Sequence, residues 1–297
     1  MVDATVLLVA VGVATQRYLP EPWRDGWTRL PRTLRRHSFD GPPADPLPRH
    51  VAVIGSSNSS TWETALAYAD RGAHVTLLSR HPHPVERQFP FPTRWCDPNV
   101  ITRFARRSNG ERRRILKNMH VPRSAVPGSA DRASERGIRV EHHTRVRHVD
   151  EVFGQAQVVF DQAPQGRQVE RYDLVVAATG ASPRIRDLPF LAEAASSAKA
   201  PVNVGGPARN TPILDAAGRW KGLPPIYPLG AFAFGRVGYA ALTLASASHV
   251  LPLMLDDILE DAGLTSPDAT TSRPRTNLAT PTERTSACPS NPPHPSP

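Results

Sequence analysis

The stretch with the most evident chemical use is Gly55-Ser56-Ser57-Asn58-Ser59-Ser60, which follows the apolar run His50–Ile54 and precedes a helical pattern. A tight turn between strand and helix gathers backbone N–H groups and the positive end of a helix dipole at one point. That point suits the pyrophosphate of a dinucleotide. Against the fingerprint G-x-G-x-x-G, the first glycine is present and Ser57 and Ser60 hold the second and third places. Serine adds a Cβ where close approach is wanted, although its hydroxyl can also bond a phosphate. The alternative reading of the same residues is a capped turn that binds nothing.

A second informative position is the end of the next strand, Ser79-Arg80-His81, with no acid until Glu86. An acid there would hold the ribose hydroxyls of NAD, whereas an arginine favours the extra phosphate of NADP. Arg80 therefore points to NADPH, against the plainer reading of one more exposed arginine. His81 and His83 flank Pro82, and His142 and His143 adjoin on an expected strand, where neighbours face opposite ways. Neither pair has helical metal-ligand spacing, so no metal site is expected. There is no G-x-S-x-G elbow and no Walker loop, and no side chain stands out as a catalytic acid or base.

These residues need elements to hold them. Ser60–Arg71 reads as a helix, with Ser60 and Glu63 at capping-box spacing and Gly72 as the stop. His74–Ser79 is the next strand, which completes a β-turn-α-β unit of parallel-crossover size. Residues 99–118 suggest one helix. Gly137–Val149 and Glu151–Phe160 suggest strands of a small antiparallel meander, and Glu170–Ala178 a buried strand ending at Gly180. Val2–Gly12 reads as another buried strand, 18–48 as a connector, and 181–225 as loop with a turn at Asp215–Gly218. Residues 226–262 pair a short strand with an apolar helix. Beyond Leu264 the chain turns to Pro, Ser, Thr and Arg, and is expected to be disordered.

Bulk properties narrow the classes. The 297 residues suffice for one large or two modest domains, with 39% hydrophobic residues and 32 prolines. A net charge of +9 raises nucleic acid as a partner. The arginines of 103–123 lack interleaved aromatics and any zinc-finger or homeodomain pattern, so a solvated basic helix or a phosphate-binding face is favoured. Cys96 and Cys288 are isolated, which disfavours disulfide, zinc and dithiol chemistry and fits a reducing cytoplasm. The apolar run Val6–Ala14 is too short for a membrane span and lacks a basic flank.

Three motifs now stand in order: Val9-Ala10-Val11-Gly12 followed by Arg17-Tyr18-Leu19-Pro20, the turn at Gly55, and Asp173-Leu174-Val175-Val176-Ala177-Ala178-Thr179-Gly180 followed by Pro183. Together with Tyr227-Pro228-Leu229-Gly230, this order resembles the flavin-dependent monooxygenases that carry FAD and NADPH domains, such as the amino-acid N-hydroxylases. In that family the nicotinamide domain is inserted within the FAD domain, and Ala-Thr-Gly strand ends close each half. The first strand end here reads Ala-Val-Gly instead. The family's first G-x-G-x-x-G, which holds the FAD pyrophosphate, is expected upstream of Val2, so this chain reads as N-terminally incomplete.

The resulting expectation is an α/β fold: a Rossmann-like parallel sheet with a small antiparallel meander, plus part of a second, FAD domain. Its divisions would be 1–49 as the end of the first FAD half and connector, 50–180 as the NAD(P)-binding domain, 181–263 as the returning FAD segment, and 264–297 as tail. Cofactor contacts are expected from Gly55, Ser56, Ser57, Asn58, Ser59, Ser60, Arg80, Thr179, Gly180 and Gly230. The resemblance implies NADPH, hydride transfer to flavin and a small-molecule substrate. It implies FAD only for a complete relative, because half of that cradle is missing here. The alternative is a non-catalytic nucleotide-binding remnant or interaction protein.

Overall fold

The computed structural model describes residues 4–12, 16–56, 58–81, 85–86, 95, 97–118, 124–197, 199–203, 210–242 and 250–264. Cys96, Cys288, Ser57, His83 and nearly all of the proline-rich tail lie outside them.

In chain order the elements begin with β1 (Leu7–Val9), α1 (Glu21–Arg29), β2 (Arg35–His37), β3 (His50–Gly55), α2 (Ser59–Ala69), β4 (His74–Ser79) and β5 (Val85–Glu86). Next come α3 (Pro98–Ala105), α4 (Asn109–Asn118), β6 (Ser124–Ala125), α5 (Ser129–Glu135), β7 (Arg139–Glu141), β8 (Thr144–Val152), β9 (Gln155–Gln162), β10 (Gly166–Tyr172) and β11 (Leu174–Ala178). The last are α6 (Ala192–Ser196), β12 (Ile226–Pro228), α7 (Phe234–Val237) and α8 (Leu255–Asp261), with short 3-10 turns between them.

A five-stranded parallel sheet runs in the order β2-β11-β3-β4-β7, and β8, β9 and β10 form an antiparallel meander. The sheet is covered on both sides, as the unbroken apolar runs of β3, β4 and β11 require. Alternation along β3 shows how. Val51 and Val53 pack with Trp62, Ala65 and Leu66 of α2, while Ala52 and Ile54 pack with Trp23 and Trp27 of α1 and with Val149, Val158 and Phe160 of the meander. The α/β architecture with a meander is thus the one the sequence implied.

A third core has a different membership. It joins Val9 of β1, Ile226 and Tyr227 of β12, Phe232, Phe234 and Met254 with Ile101 and Phe104 of α3 and Leu116 of α4. β1 and β12 pair in parallel as a separate two-stranded sheet. Val9 is 1% exposed but Leu7 and Leu8 are 38% and 47% exposed, so the expected buried strand Val2–Gly12 is only a short, half-open one. The reason is its single neighbour, since a strand with one partner leaves an edge and part of a face uncovered.

Other expectations are corrected by local chemistry. The connector 18–48 contains α1, opened by Pro20 and a proline in its first turn, and β2, which joins the main sheet. Helix 99–118 is two helices, because Ser108 and Glu111 form a capping box of their own: Ser108 N donates to Glu111 Oε2 at 3.0 Å, and Glu111 N to Ser108 Oγ at 3.3 Å. Gly137–Val149 is two strands, since His143 adopts φ 56° and turns the chain from the parallel sheet into the meander. His142 and His143 therefore occupy a turn and not opposite faces of a strand. Glu170–Ala178 likewise divides at Asp173, whose carboxylate accepts from the His50 N–H at 3.0 Å. Where a helix is expected after β12, the described residues 230–242 form short turns, interrupted at Gly238 with φ 67°, and α8 follows at Leu255–Asp261.

Candidate functional site

The C-terminal ends of β3 and β11 lie side by side, with Gly55 registered against Ala178. From β3 the sheet builds outward through β4 on one side and through β11 on the other, so this pair marks the switch of strand order. In open α/β sheets such a crevice receives ligands.

Gly55 is a glycine for a steric reason. A Cβ built there would stand 2.1 Å from Thr61 Oγ1 and 2.4 Å from Thr61 Cγ2. Thr61 is fully buried and acts as the latch of the turn. Its hydroxyl accepts from the Ser56 N–H at 3.4 Å and lies 2.7 Å from Asn58 Oδ1 and 3.3 Å from Ala178 O. Close approach of helix to strand, which the third glycine of the fingerprint usually permits, is achieved here by burying a threonine against the first glycine.

Asn58 is the N-cap of α2, with its side-chain oxygen accepting from the Thr61 N–H at 3.1 Å. The expected capping box of Ser60 and Glu63 does not form. The helix starts at Ser59, one residue earlier, and Glu63 pairs with Arg132 of α5 at 2.6 Å. Ser59 and Ser60 are the first two helical residues, whose N–H groups have no acceptor within a helix. The Ser59 hydroxyl donates to Ser124 O at 2.9 Å and the Ser60 hydroxyl lies 3.3 Å from Ser38 Oγ, which fixes both side chains beside the turn.

Arg80 follows β4 and its N–H donates to Gly55 O at 3.4 Å, which ties the second strand end to the turn. Its side chain is exposed, with no ion-pair partner among the described residues. The next acid, Glu86, is committed elsewhere. Its carboxylate accepts from the N–H groups of Gly128 at 2.8 Å and Ala130 at 3.2 Å, and these bonds hold its pKa below the usual carboxylate range.

On the other side of the switch, the Thr179 hydroxyl donates to Tyr18 O, and Gly180, at φ 76°, accepts from the Tyr18 N–H at 2.9 Å. A cleft of about 360 Å³ opens beside this end, lined by Gln16, Arg17, Tyr18, Ser182 and Arg184. His37, at the end of β2, is fully buried there. Burial and the nearby Arg17 lower its pKa, and Asp40 opposes them.

The structure thus gathers Gly55, Ser56, Asn58, Ser59, Ser60 and Arg80 at one turn and sets Thr179–Gly180 across the switch. Gly230 stands elsewhere, two residues beyond β12 of the separate two-stranded sheet, where it opens a 3-10 turn with φ 58°. Sequence reading missed Thr61, His37 and Ser38. Thr61 had a signal, an added hydroxyl at the first buried helical position after a polar turn, whereas His37 and Ser38 sit in what reads as connector.

One further arginine departs from the basic-helix reading. Arg112 of α4 is 4% exposed and turns inward, with Nε donating to Gly235 O at 2.9 Å and Nη1 to Ala105 O at 3.0 Å. Burial, with the repulsion of Arg236, pushes its pKa down to about 10.

No protein-family model matches the chain, and no curated protein matches it by sequence. Solved structures do match. The ornithine N-hydroxylase of Kutzneria sp. 744, in a form with reduced FAD, NADP+ and L-ornithine, aligns with TM-score 0.66 at 15% identity, over 86% of this chain and 63% of that one. The reduced ornithine hydroxylase of Pseudomonas aeruginosa aligns with TM-score 0.63 at 19% identity, over 86% and 62%. The HOCl-induced flavoprotein disulfide reductase of Escherichia coli aligns with TM-score 0.52 at 17% identity, over 88% and 46%. The fold is therefore that of flavin-dependent N-hydroxylating monooxygenases and flavoprotein disulfide reductases. The chain spans less than two thirds of the length of these proteins. No helix among the described residues is long and apolar enough to cross a membrane.

Proposed function

We propose that this chain binds NADPH at the turn Gly55–Ser60 and serves as the nicotinamide-binding part of an FAD-dependent, monooxygenase-like oxidoreductase. The observation that carries the reading is the locked turn at the switch of the sheet: Gly55 is packed against buried Thr61, and Arg80 is tied by its backbone to Gly55. In this reading the amides of Ser59 and Ser60, with the hydroxyl of Ser56, hold the pyrophosphate. Asn58 shapes the turn, Arg80 pairs with the 2′-phosphate, and Thr179 and Gly180 border the dinucleotide from β11.

Arg80→Ala tests the cofactor choice. NADPH affinity is expected to fall about tenfold or more, with NADH affinity changed by less than about twofold. Intrinsic tryptophan fluorescence titrations of both cofactors read this directly. Equal losses for the two would sink the assignment of Arg80.

When both cofactors are present, the nicotinamide–flavin pair supplies hydride transfer, and the protein supplies grip and orientation. The residues here fit one dinucleotide. Among the described residues, the Gly55 turn is the one that joins a strand of the main sheet directly to an α-helix of more than two turns. On the flavin side β1 and β12 offer strand ends at Gly12 and Gly230 without such a turn. Among the described residues the Gly55 turn is thus the one candidate cradle for a dinucleotide. The same observation favours a second reading, a nucleotide-binding or interaction protein that takes NADPH and no flavin.

A further inference from the structure

A second cleft, of about 590 Å³, lies between the α3–α4 turn and the hairpin around Asp215. Its charged lining is Arg106, Arg107, Arg112, Lys221 and Arg236 against the single acid Asp215. That acid is already engaged, accepting from Arg219 Nε at 3.0 Å and from the Arg219 N–H at 2.9 Å. Arg107 reaches Glu111 at 3.8 Å. Arg106, Arg112, Lys221 and Arg236 have no ion pair among the described residues.

Part of this charge has a structural use. The Nη1 groups of Arg112 and Arg236 both donate to Ala105 O, at 3.0 and 3.1 Å, at the C-terminal end of α3. A helix C-terminus offers only about half a negative charge, whereas two guanidiniums bring two full positive ones. Asp215 and Asp257 act on Arg236 from nearby, but on the nearly buried Arg112 burial and the repulsion of Arg236 act unopposed, and burying a charge so is costly. Arg106 and Lys221, exposed and without an ion pair among the described residues, add to the excess at the mouth. A carboxylate, with one charge, would leave most of it uncompensated. A phosphoryl dianion matches it better. Arg112 and Arg236 supply charge while their donors hold the carbonyls of Ala105, Arg107, Ala216 and Gly235. The exposed guanidinium of Arg106 can offer its fork to a pair of phosphate oxygens.

We propose that this cleft binds the phosphoryl group of a small molecule, at a site that shares no residue with the Gly55 turn. The volume lies within the range of small-molecule sites, so the group can enter alone or on an organic carrier.

The test is calorimetric titration of the full chain, at constant ionic strength, with inorganic phosphate and, separately, ribose 5-phosphate. Saturable binding is expected for wild type and is retained in Arg80→Gln, in which the phosphate grip proposed at the nucleotide turn is weakened. Arg106→Gln combined with Lys221→Gln should weaken it about tenfold or more. These two residues are exposed, so the variant keeps the buried arginine pair and the fold. Tighter binding of the sugar phosphate identifies an organic carrier, and equal binding identifies the free ion. Absence of saturation overturns the proposal. So does unchanged affinity in the Arg106/Lys221 variant, or loss of binding in Arg80→Gln, which would place the anion at the nucleotide turn.

Discussion

At Gly55 the absence of a side chain and the presence of Thr61 are one fact, because the threonine occupies the volume a Cβ would need. Gly55→Ala should therefore destabilise the protein by about 1–3 kcal/mol, the usual cost of overpacking a core, and lower NADPH affinity with it. Thermal denaturation beside a cofactor titration checks both, and an unchanged melting temperature would contradict the latch. His37 gives a pH signature. Its pKa lies below the ordinary 6.5, with burial the larger cause and Arg17 the next, against the opposing Asp40. Between that depressed value and 6.5 the unfolded chain holds a proton the native state does not, so stability is full above about 6.5 and declines as pH falls through the window. Asp40, held below its ordinary 3.8, loses its contribution only at more acidic pH. Urea denaturation across pH should show the first decline in wild type and a flatter profile in His37→Gln. Identical profiles would show that His37 does not titrate differently in the two states.

Among the elements, α2 decides whether the turn works, since its start fixes where the helical N–H groups point. Asn58 performs that task through its bond to the Thr61 N–H. Asn58→Ala should cost about 1 kcal/mol, whereas Ser60→Ala, at a position that does not cap the helix, should cost less than half of that. Chemical denaturation of both variants measures the difference, and a larger loss at Ser60 would restore the capping box that its spacing with Glu63 suggested. Other element boundaries depend on equally local devices: the Ser108–Glu111 box that splits α3 from α4, and His143, which ends β7 and starts the meander. Each is a short polar signal inside a longer apolar or basic pattern, which is why periodicity alone runs through it.

Across the whole molecule, two cores built on the main sheet contrast with a third built from distant segments, with members at 9, 95, between 101 and 116, and between 185 and 258. The third includes a two-stranded parallel sheet with Leu7 and Leu8 exposed, the part proposed to lie on the flavin side. The absorption spectrum of the purified chain, with FAD supplied, tests what that part can do. Retained yellow colour with flavin bands supports the flavoprotein reading. A colourless protein that still binds NADPH rejects it in favour of the nucleotide-binding alternative.

The β3–α2–β4 unit, the position of Arg80 and the α/β class follow from sequence by itself, because a buried parallel strand, a glycine turn and a helical repeat each leave a local trace within about thirty residues. The tertiary structure decided what no local pattern encodes. It set β11 against β3 and β2, far away in the chain, against β11, and placed Ser38 beside the Gly55 turn and His37 beside Tyr18 and Gly180. It also turned Arg112 from a solvated helix face into a buried cation beside Arg236. Long-range packing sets such contacts, and an arginine on a helix reads the same in sequence whether it faces water or a carbonyl 123 residues away.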